Sequence, residues 1–223
     1  MSKNIFITAT GTDIGKTYVS ALIIKQMRAE GLNCGYYKPV LSGVSEKDGK
    51  LTESDCNYVI NTAKIPASAD DSVSYWWKEA VSPHLASERA GVNIDIEKIK
   101  KDFAKKQQQY DYLLIEGAGG ITCPLKLQNG EKYLMKDLIR DLGVNIIIVA
   151  DGGLGTINST LLTVEYAKQN NINIEGIILN NFNPDNFIHQ DNLRQVEYLT
   201  GVKVISTVQK NQTGINLLQE YFS

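Results

Sequence analysis

The sequence predicts an α/β fold in which a mostly parallel β-sheet is covered by helices on both faces. Short apolar runs alternate with amphipathic runs along the chain, as in proteins built from strand–helix units. Residues 113–115 and 146–149 are apolar at every position, and only a strand covered on both faces tolerates such a run. A length of 223 residues favours one large domain over two small ones, so we predict a single domain over residues 1–223.

The elements follow each other in chain order. The first strand covers residues 5–8 and is followed by a helix that begins at Lys16, and Gly31 is well placed to cap the end of that helix. The apolar residues of this helix are Val19, Leu22, Ile23 and Met27. Further strands are predicted in "CGYYKPV" (34–40), "YDYLLIEG" (110–117), "NIIIVA" (145–150) and "IEGIILNN" (174–181), and further helices in "INSTLLTVEYAKQN" (157–170) and "NLRQVEYLTG" (192–201). The polar stretches 43–57 and 126–132 are predicted to be loops within the same domain.

Composition excludes several classes of protein. The chain has 23 basic and 25 acidic side chains and a formal net charge of −2, which gives no electrostatic footprint for nucleic acid. Cys34, Cys56 and Cys123 are odd in number and share no metal-like spacing, so we expect reduced thiols in a reducing compartment. The sequence has neither a signal-peptide pattern nor an apolar run long enough to span a bilayer, so we expect no membrane association and a cytoplasmic location.

The stretch "TATGTDIGKT" at residues 8–17 has the context of a phosphate-binding loop. It lies between the first strand and the first helix, although Thr10 stands where the common motif has its first glycine. Backbone N–H groups of residues 12–17 and the helix N-terminus would face the phosphates. Lys16 would bridge the outer phosphates, and Thr17 would bind Mg²⁺. The alternative is a helix-capping turn with a surface lysine.

Two acidic residues are candidates for the same magnesium site. Glu116 stands at the C-terminal end of an apolar strand, where nucleotide-using proteins place an acid that holds Mg²⁺ or its water. The alternative for Glu116 is an acid at a strand end before a flexible glycine-rich turn. On composition alone, Asp55, in "TESDC", is better explained as a residue at the start of a helix.

Lys38 ends the second strand, where Pro39 fixes its direction. Its ammonium is predicted to project into the cleft that holds the phosphate loop, where a cation would bind the γ-phosphate or an anionic intermediate. An exposed lysine at a strand end is the alternative.

The motifs, taken together, resemble those of the dethiobiotin synthetase family. "TATGTDIGKT", "YKPVLSG", "ESDC", "SPHLASERAG", "IEGAGGITCPL", "DGGLGTINSTLLTVEYA" and "GIILNN" occur in the family's order, and the resemblance spans residues 6–181. The family's own loop begins one residue early, which accounts for Thr10. Ala9 and Gly11 depart from the family's glycine and aspartate, whereas the acid at Asp13 is kept.

The resemblance implies a P-loop NTPase fold and an ATP- and Mg²⁺-dependent cyclo-ligase of biotin biosynthesis. In that reaction 7,8-diaminononanoate takes up CO₂ as a carbamate, ATP phosphorylates the carbamate, and the second amine closes the ring of dethiobiotin, leaving ADP and phosphate. The implied catalytic residues are Lys16 and Lys38, and the implied metal ligands are Thr17, Asp55 and Glu116. The implied ATP-binding residues are Asp13, Ile14, Gly15, Lys16, Thr17, Tyr18, Glu116, Gly117, Ala118, Gly119, Asn180 and Asn181. The substrate would contact Thr12, Lys38 and Ser42.

The resemblance also implies a homodimer in which the partner subunit holds the far carboxylate of the substrate. Gly155, Thr156 and Asn158 match the family's residues for this contact, and the alternative is plain capping of the helix that starts there. Asn180 would bind adenine through its amide. The proline-containing segment that lies against the base in many members is replaced by "STVQK" at residues 206–210.

The same fold also serves other functions. A partition ATPase would carry an additional lysine early in its loop, and residues 8–14 contain none. An amidotransferase of this group would need a glutaminase domain, for which the chain leaves no room. A nucleotide-dependent switch protein without a small-molecule product is the alternative from a different class.

Overall fold

The computed structural model describes residues 3–127 and 130–217. Its strands are β1 (Lys3–Ala9), β2 (Cys34–Ser42), β3 (Ser45–Lys47), β4 (Lys50–Glu53), β5 (Val73–Trp77), β6 (Tyr112–Glu116), β7 (Pro124–Lys126), β8 (Tyr133–Leu134), β9 (Asn145–Asp151), β10 (Ile174–Asn180) and β11 (Val204–Thr207). Its helices are α1 (Lys16–Ala29), α2 (Asp55–Ala63), α3 (Pro83–Ala90), α4 (Ile96–Gln109), α5 (Met135–Leu142), α6 (Thr156–Gln169) and α7 (Phe187–Thr200).

Seven of these strands form one sheet in the order β11-β10-β9-β1-β6-β2-β5, and every neighbouring pair is parallel. The strand β1 lies between β6 and β9. Strands β2, β5 and β6 lie on one side of β1 and strands β9 to β11 on the other, so the order of the strands reverses direction beside β1. Open parallel sheets bind ligands in the crevice at the carboxyl ends of the strands at such a point. The topology therefore places the loop after β1 in the expected binding crevice.

The two faces of the sheet carry separate cores because successive strand residues point in opposite directions. Ile7 and Leu114 pack with α1 and α2 on one face, whereas Phe6 and Leu113 pack with α3 to α7 on the other. The apolar runs of the central strands, residues 113–115 and 146–149, are fully buried, as predicted. The prediction of a mostly parallel sheet covered on both faces is confirmed.

Local signals explain where several helices begin and end. Gly31 follows α1 with φ +83°, a conformation that glycine adopts without strain, and its N–H donates to the carbonyl of Arg28. The side chains of Ser54 and Asp95 accept hydrogen bonds from the first turns of α2 and α4. Pro83 opens α3, where its missing N–H costs no helical hydrogen bond.

Two loop predictions need correction. Residues 43–57 are not a plain loop, because β3 and β4 pair there as an antiparallel hairpin and α2 begins at Asp55. In the stretch 126–132, Lys126 belongs to a second hairpin of β7 and β8, and residues 128–129 lie outside the described part. Across residues 3–127 and 130–217, none of the helices has the length and apolar character that a membrane span requires.

Candidate active site

The loop between β1 and α1 is shaped by two residues with positive φ. Asp13 has φ +60° and Gly15 has φ +96°. Glycine is required at position 15 for a second reason, because a Cβ there would overlap the carboxamide of Asn180. No side chain caps the first turn of α1, so the N–H groups of that turn have no side-chain acceptor. This is the local structure of an anion-binding helix start.

Lys16 and Thr17, the first residues of α1, both point into the site. Lys16 is 7% exposed, and its Nζ lies 3.2 Å from the carbonyl oxygen of Gly11. Burial and the neighbouring ammonium of Lys38 lower the pKa of Lys16. Thr17 donates from Oγ1 to Oε1 of Glu116 at 2.7 Å. The first turn of α1 is thus connected to the end of β6.

Lys38 is buried between two carboxylates, so it is not an exposed lysine. It is 3% exposed, and its Nζ lies 2.5 Å from Oδ2 of Asp55 and 2.6 Å from Oε1 of Glu116. Burial alone would lower the pKa of Lys38, but the charges of Glu116 and Asp55 outweigh it and raise the pKa. Lys38 therefore carries its positive charge at physiological pH.

Glu116 is fully buried and has donors on both carboxylate oxygens. Thr17 and Lys38 reach Oε1, and the hydroxyl of Tyr36 donates to Oε2 at 2.8 Å. Burial and the charge of Glu116 raise the pKa of Tyr36 well above its usual value, so Tyr36 keeps its proton. A buried carboxylate needs this many partners, because each lone pair without a donor would be costly.

Asp55 lies at the start of a helix, as the alternative predicted, and its carboxylate also reaches the site, so its role as a metal ligand stays a prediction. It is the first residue of α2, directly after the cap residue Ser54, where a negative charge interacts favourably with the helix dipole. Its carboxylate also reaches Lys38 and is 42% exposed toward solvent. Asp55 is consequently the carboxylate of the pair that faces the open side of the site.

These groups line one cavity of about 850 Å³ at the carboxyl ends of β1, β2 and β6. Of the residues predicted from the sequence, the cavity is lined by Thr12, Asp13, Gly15, Lys16, Thr17, Tyr18, Lys38, Ser42, Asp55, Glu116, Ala118 and Gly119. The predicted residues that do not line it are Ile14, Gly117, Gly155, Thr156, Asn158, Asn180 and Asn181. The predicted phosphate, metal and diamine residues thus meet in one space.

Asn180 contacts the phosphate loop from the end of β10. Its Nδ2 donates to the carbonyl oxygen of Ile14 at 2.8 Å, and its Oδ1 is buried without a hydrogen-bond partner. A buried amide oxygen without a donor fits a ligand that brings one, such as an exocyclic amino group. Asn181 follows with φ +54° and donates from Nδ2 to Asp151 at 2.7 Å.

The start of α6 lies apart from the cavity. Gly155 precedes the helix with φ +88°, and no side chain caps its first turn. Asn158 is exposed, whereas the hydroxyl of Thr156 is buried at 3.3 Å from that of Thr160. A ligand at this position would therefore meet backbone N–H groups and Asn158 and not the hydroxyl of Thr156.

The oxygen groups of the site suit a hard cation that also binds phosphate. Thr17, Asp55 and Glu116 offer a hydroxyl and two carboxylates around the ammonium of Lys38. In the described part of the chain, no cluster of three or more His, Cys, Asp or Glu side chains forms a self-sufficient metal site. Mg²⁺ typically takes one or two carboxylates and completes its shell with water and substrate phosphates, so the residues present fit it.

Sequence reasoning missed several residues of the site. Tyr36 is not among the predicted residues, although the two-residue period of a strand puts it on the face of Lys38. Tyr58, Val81 and Cys123 line the cavity, and no local pattern marked them. Burial raises the pKa of the Cys123 thiol to about 11, so it is a neutral wall of the cavity.

The fold and the site define a phosphate-loop nucleotide-binding protein with a second buried lysine. Residues 3–216 match the family described as AAA domain. An ATP-dependent dethiobiotin synthetase of Clostridium botulinum strain Langeland is 52% identical over 194 residues, 87% of this chain and 85% of that protein. That of Brachyspira hyodysenteriae is 48% identical over 208 residues, 93% and 92% of the two chains. The chain belongs to the ATP-dependent dethiobiotin synthetase family.

Solved structures with little sequence identity share the fold. The MinC:MinD cell division complex of Aquifex aeolicus gives a TM-score of 0.59 at 14% identity, covering 94% of this chain and 82% of that one. A ParA family ATPase of Chlorobium tepidum gives 0.56 at 12% identity, covering 94% and 85%. At this identity the likeness concerns the fold alone.

Proposed function

We propose that the protein uses ATP and CO₂ to convert 7,8-diaminononanoate into dethiobiotin, with release of ADP and phosphate. The observation that carries the proposal is the meeting of Lys16, Thr17, Lys38, Asp55 and Glu116 in one cavity of about 850 Å³. This cavity offers both a phosphate loop and a second buried cation. The reaction needs both, because its two anionic reactants repel each other.

The charges of the site explain why ATP would need a divalent cation. Lys16 and Lys38 are offset by Asp55 and Glu116, so these four side chains sum to zero before the triphosphate enters. Thr17, Asp55 and Glu116 would hold Mg²⁺ or its waters together with the phosphates. When bound, the ion supplies positive charge to the phosphoryl oxygens. Lys16, already placed in the loop, would contact the outer phosphates.

The order of the reaction steps assigns a role to the part of the cavity that would hold the diamine. One amine attacks CO₂ and loses a proton to give a carbamate, a carbamate oxygen takes the γ-phosphoryl group and ADP leaves, and the second amine attacks the carbamate carbon, expels phosphate and loses a proton to solvent. Thr12 and Ser42 would contact the diamine, and the hydroxyl of Ser42 is held by the carbonyl of Val81 at 2.7 Å. Holding both amines in one pocket makes the last step effectively intramolecular.

Lys38 would neutralise the carbamate and the transferring phosphoryl group. In this structure its ammonium is shared by Asp55 and Glu116, at 2.5 and 2.6 Å. A cation entering between these carboxylates would compete with the ammonium and release it toward the substrate. The same two acids would thus hold the lysine before the nucleotide binds and the metal afterwards.

Adenine recognition is assigned to Asn180, with Asn181, Ile14 and Gly117 completing the ATP contacts. The unpartnered Oδ1 of Asn180 supports this assignment, since the adenine amino group is a donor. The segment 206–210 takes the place of the family's base-contacting segment. It includes the end of β11, and Val208 is tied to the backbone of Leu179 and Phe182.

A homodimer of single-domain chains in the cytoplasm is part of the proposal. Gly155, Thr156 and Asn158 would bind the far carboxylate of a diamine held mainly by the other subunit. Their position outside their own chain's cavity supports this, as does the neighbouring Leu154, which is 86% exposed. An apolar side chain so exposed beside an uncapped helix start suits a subunit contact.

The test is product formation. The purified protein is incubated with 7,8-diaminononanoate, ATP, Mg²⁺ and bicarbonate, and dethiobiotin is measured by mass spectrometry together with released ADP. We expect one ADP for each dethiobiotin and no sustained ADP release without the diamine. Diamine-independent ATP hydrolysis with no dethiobiotin would refute the proposal in favour of a nucleotide switch.

A further inference from the structure

We propose that Tyr36 is a positioning residue that makes Glu116 present one oxygen to the metal, and that it thereby favours Mg²⁺ over Ca²⁺. The inference rests on the proposed function only in taking Glu116 as a carboxylate of the magnesium site.

The two oxygens of Glu116 have different partners. The hydroxyl of Tyr36 donates to Oε2 at 2.8 Å, whereas Thr17 and Lys38 reach Oε1 at 2.7 and 2.6 Å. Tyr36 is 1% exposed and Glu116 is not exposed at all, so water does not compete for Oε2. Tyr36 therefore fixes the rotation of the carboxylate and leaves Oε1 toward the site.

Strand register brings both donors to the same acid. The strand β2 runs beside β6 with Tyr36 paired to Leu114 and Tyr37 to Ile115. Tyr36 and Lys38 are two residues apart and share one face of β2, the face that packs toward α1 and α2. Tyr37 points to the opposite face, into the other core.

Mg²⁺ and Ca²⁺ bind carboxylates in different ways, so the contact between Tyr36 and Glu116 affects which metal is favoured. Mg²⁺ is small, keeps an octahedral shell and takes carboxylates through single oxygens, whereas Ca²⁺ accepts bidentate carboxylates in a looser shell. A carboxylate whose Oε2 is occupied by Tyr36 is restricted to the first mode. Without the hydroxyl, the carboxylate of Glu116 would be free to rotate and to offer both oxygens. This would weaken the binding of Mg²⁺ but not that of Ca²⁺.

The chain offers a matched control one residue away. Tyr36→Phe removes the hydroxyl from Glu116. Tyr37→Phe removes an equally buried hydroxyl of the same strand, which lies 2.6 Å from Oγ of Ser74 and donates to the carbonyl of Ile99 at 3.2 Å. Tyr36→Phe loses one buried hydrogen bond and Tyr37→Phe loses its contacts with both Ser74 and Ile99, so the control is at least as disruptive, and only Tyr36→Phe touches Glu116.

The measurement is the gain in nucleotide affinity that each metal confers. Binding of β,γ-methylene-ATP is titrated calorimetrically in the full-length protein without metal, with Mg²⁺ and with Ca²⁺. The ratio of dissociation constants without and with metal gives the coupling between metal and nucleotide. Thermal unfolding of each variant verifies that it is folded.

We expect Tyr36→Phe to lower the Mg²⁺ coupling by about tenfold, the range typical of a lost partner of a metal ligand. The Ca²⁺ coupling stays unchanged or rises, and Tyr37→Phe leaves both couplings at wild-type values. In a Glu116→Gln background, Tyr36→Phe adds no further loss, because the two side chains act through one contact.

The proposal is overturned if the Mg²⁺ coupling of Tyr36→Phe stays at the wild-type value, if Tyr37→Phe lowers it equally, or if Ca²⁺ and Mg²⁺ couplings fall together. The diamine is absent from this experiment, so the outcome is independent of product formation. A protein that shows the expected metal pattern but makes no dethiobiotin refutes the proposed function and leaves the role of Tyr36 standing.

Discussion

Replacing Lys38 by leucine removes the only charge that separates two neighbouring carboxylates in the described site, at similar side-chain bulk. The ammonium lies within 2.6 Å of both acids, and Glu116 has no solvent exposure. Glu116 keeps its hydrogen bonds from Thr17 and Tyr36 but loses its counter-charge. The substitution therefore probes stability and catalysis through the same atom.

Breaking a buried ion pair from one side costs about 3–5 kcal/mol. Asp55 is 42% exposed, so water screens its interaction with Lys38, and the cost lies at the lower end of this range. For a chain of this size, about 3 kcal/mol lowers Tm by about 6–12 °C. Mg²⁺ with ADP should recover more Tm in the Lys38→Leu variant than in the wild type, because the divalent cation replaces the missing charge without displacing a lysine.

The catalytic effect should appear in kcat. A cation over the transferring phosphoryl group stabilises charge that develops in the transition state, and loss of one preorganised donor costs about 100-fold or more. Lys38→Arg should recover little, because a planar guanidinium does not fill the place of a compact ammonium. The assay is steady-state ADP release coupled to dethiobiotin detection, with thermal unfolding measured in parallel.

Lys101→Leu serves as the control, since it removes a lysine from the exposed side of α4. It should leave kcat and Tm near their wild-type values. A Lys38→Leu enzyme with normal kcat and only a raised KM for the diamine would remove Lys38 from the chemical step. An unchanged Tm would show that the ion pairs with Glu116 and Asp55 contribute nothing net to stability.

Three further predictions concern the metal, the base and the thiols. Glu116→Gln and Asp55→Asn should each raise the Mg²⁺ concentration needed for half-maximal turnover, and wild-type activity of both at limiting Mg²⁺ would exclude them as ligands. With Asn180 as the main base contact, kcat/KM for ATP should exceed that for GTP or CTP by less than about a thousandfold, and a larger preference would contradict this. Burial raises the pKa of Cys34 to about 12, so the folded state keeps a proton that the unfolded state releases above about pH 9. The stability that this proton contributes is complete below about pH 9 and is lost toward pH 12, at up to about 1.4 kcal/mol per pH unit. Between pH 9 and 11, the free energy of unfolding from urea titrations should therefore fall less steeply with pH in Cys34→Ala than in the wild type.

The parts of the site that sequence predicts are those that local pattern determines. Lys16 and Thr17 follow from a strand, a glycine-containing loop and a helix in immediate succession. Glu116 ends β6, as the sequence predicts. The prediction that Lys38 ends its strand is wrong, because β2 continues to Ser42 and Lys38 lies in its middle. Lys38 meets Glu116 because β2 lies beside β6, with Tyr37 paired to Ile115, and this register is not visible in the sequence.

Other parts depend on contacts between distant segments. Tyr36 reaches Glu116 only because β2 lies directly beside β6 in the observed register. The strand β5 at the sheet edge was not predicted, since "VSYWW" is short and carries no alternating pattern. The helix α4 was also missed, because its lysines and glutamines leave a narrow apolar stripe of Ile99 and Phe103.

The hydrogen bond from Asn180 to Ile14, together with the lack of space for a Cβ at Gly15, has a consequence for how this enzyme can evolve. Asn180, the residue assigned to the base, also supports the loop assigned to the phosphates through this hydrogen bond. A substitution at Asn180 selected for another nucleoside triphosphate would withdraw a support from the loop that every nucleotide needs. Lineages that change base preference should therefore retain Asn180 and alter residues 206–210, whose side chains are not tied to the phosphate loop by any described hydrogen bond.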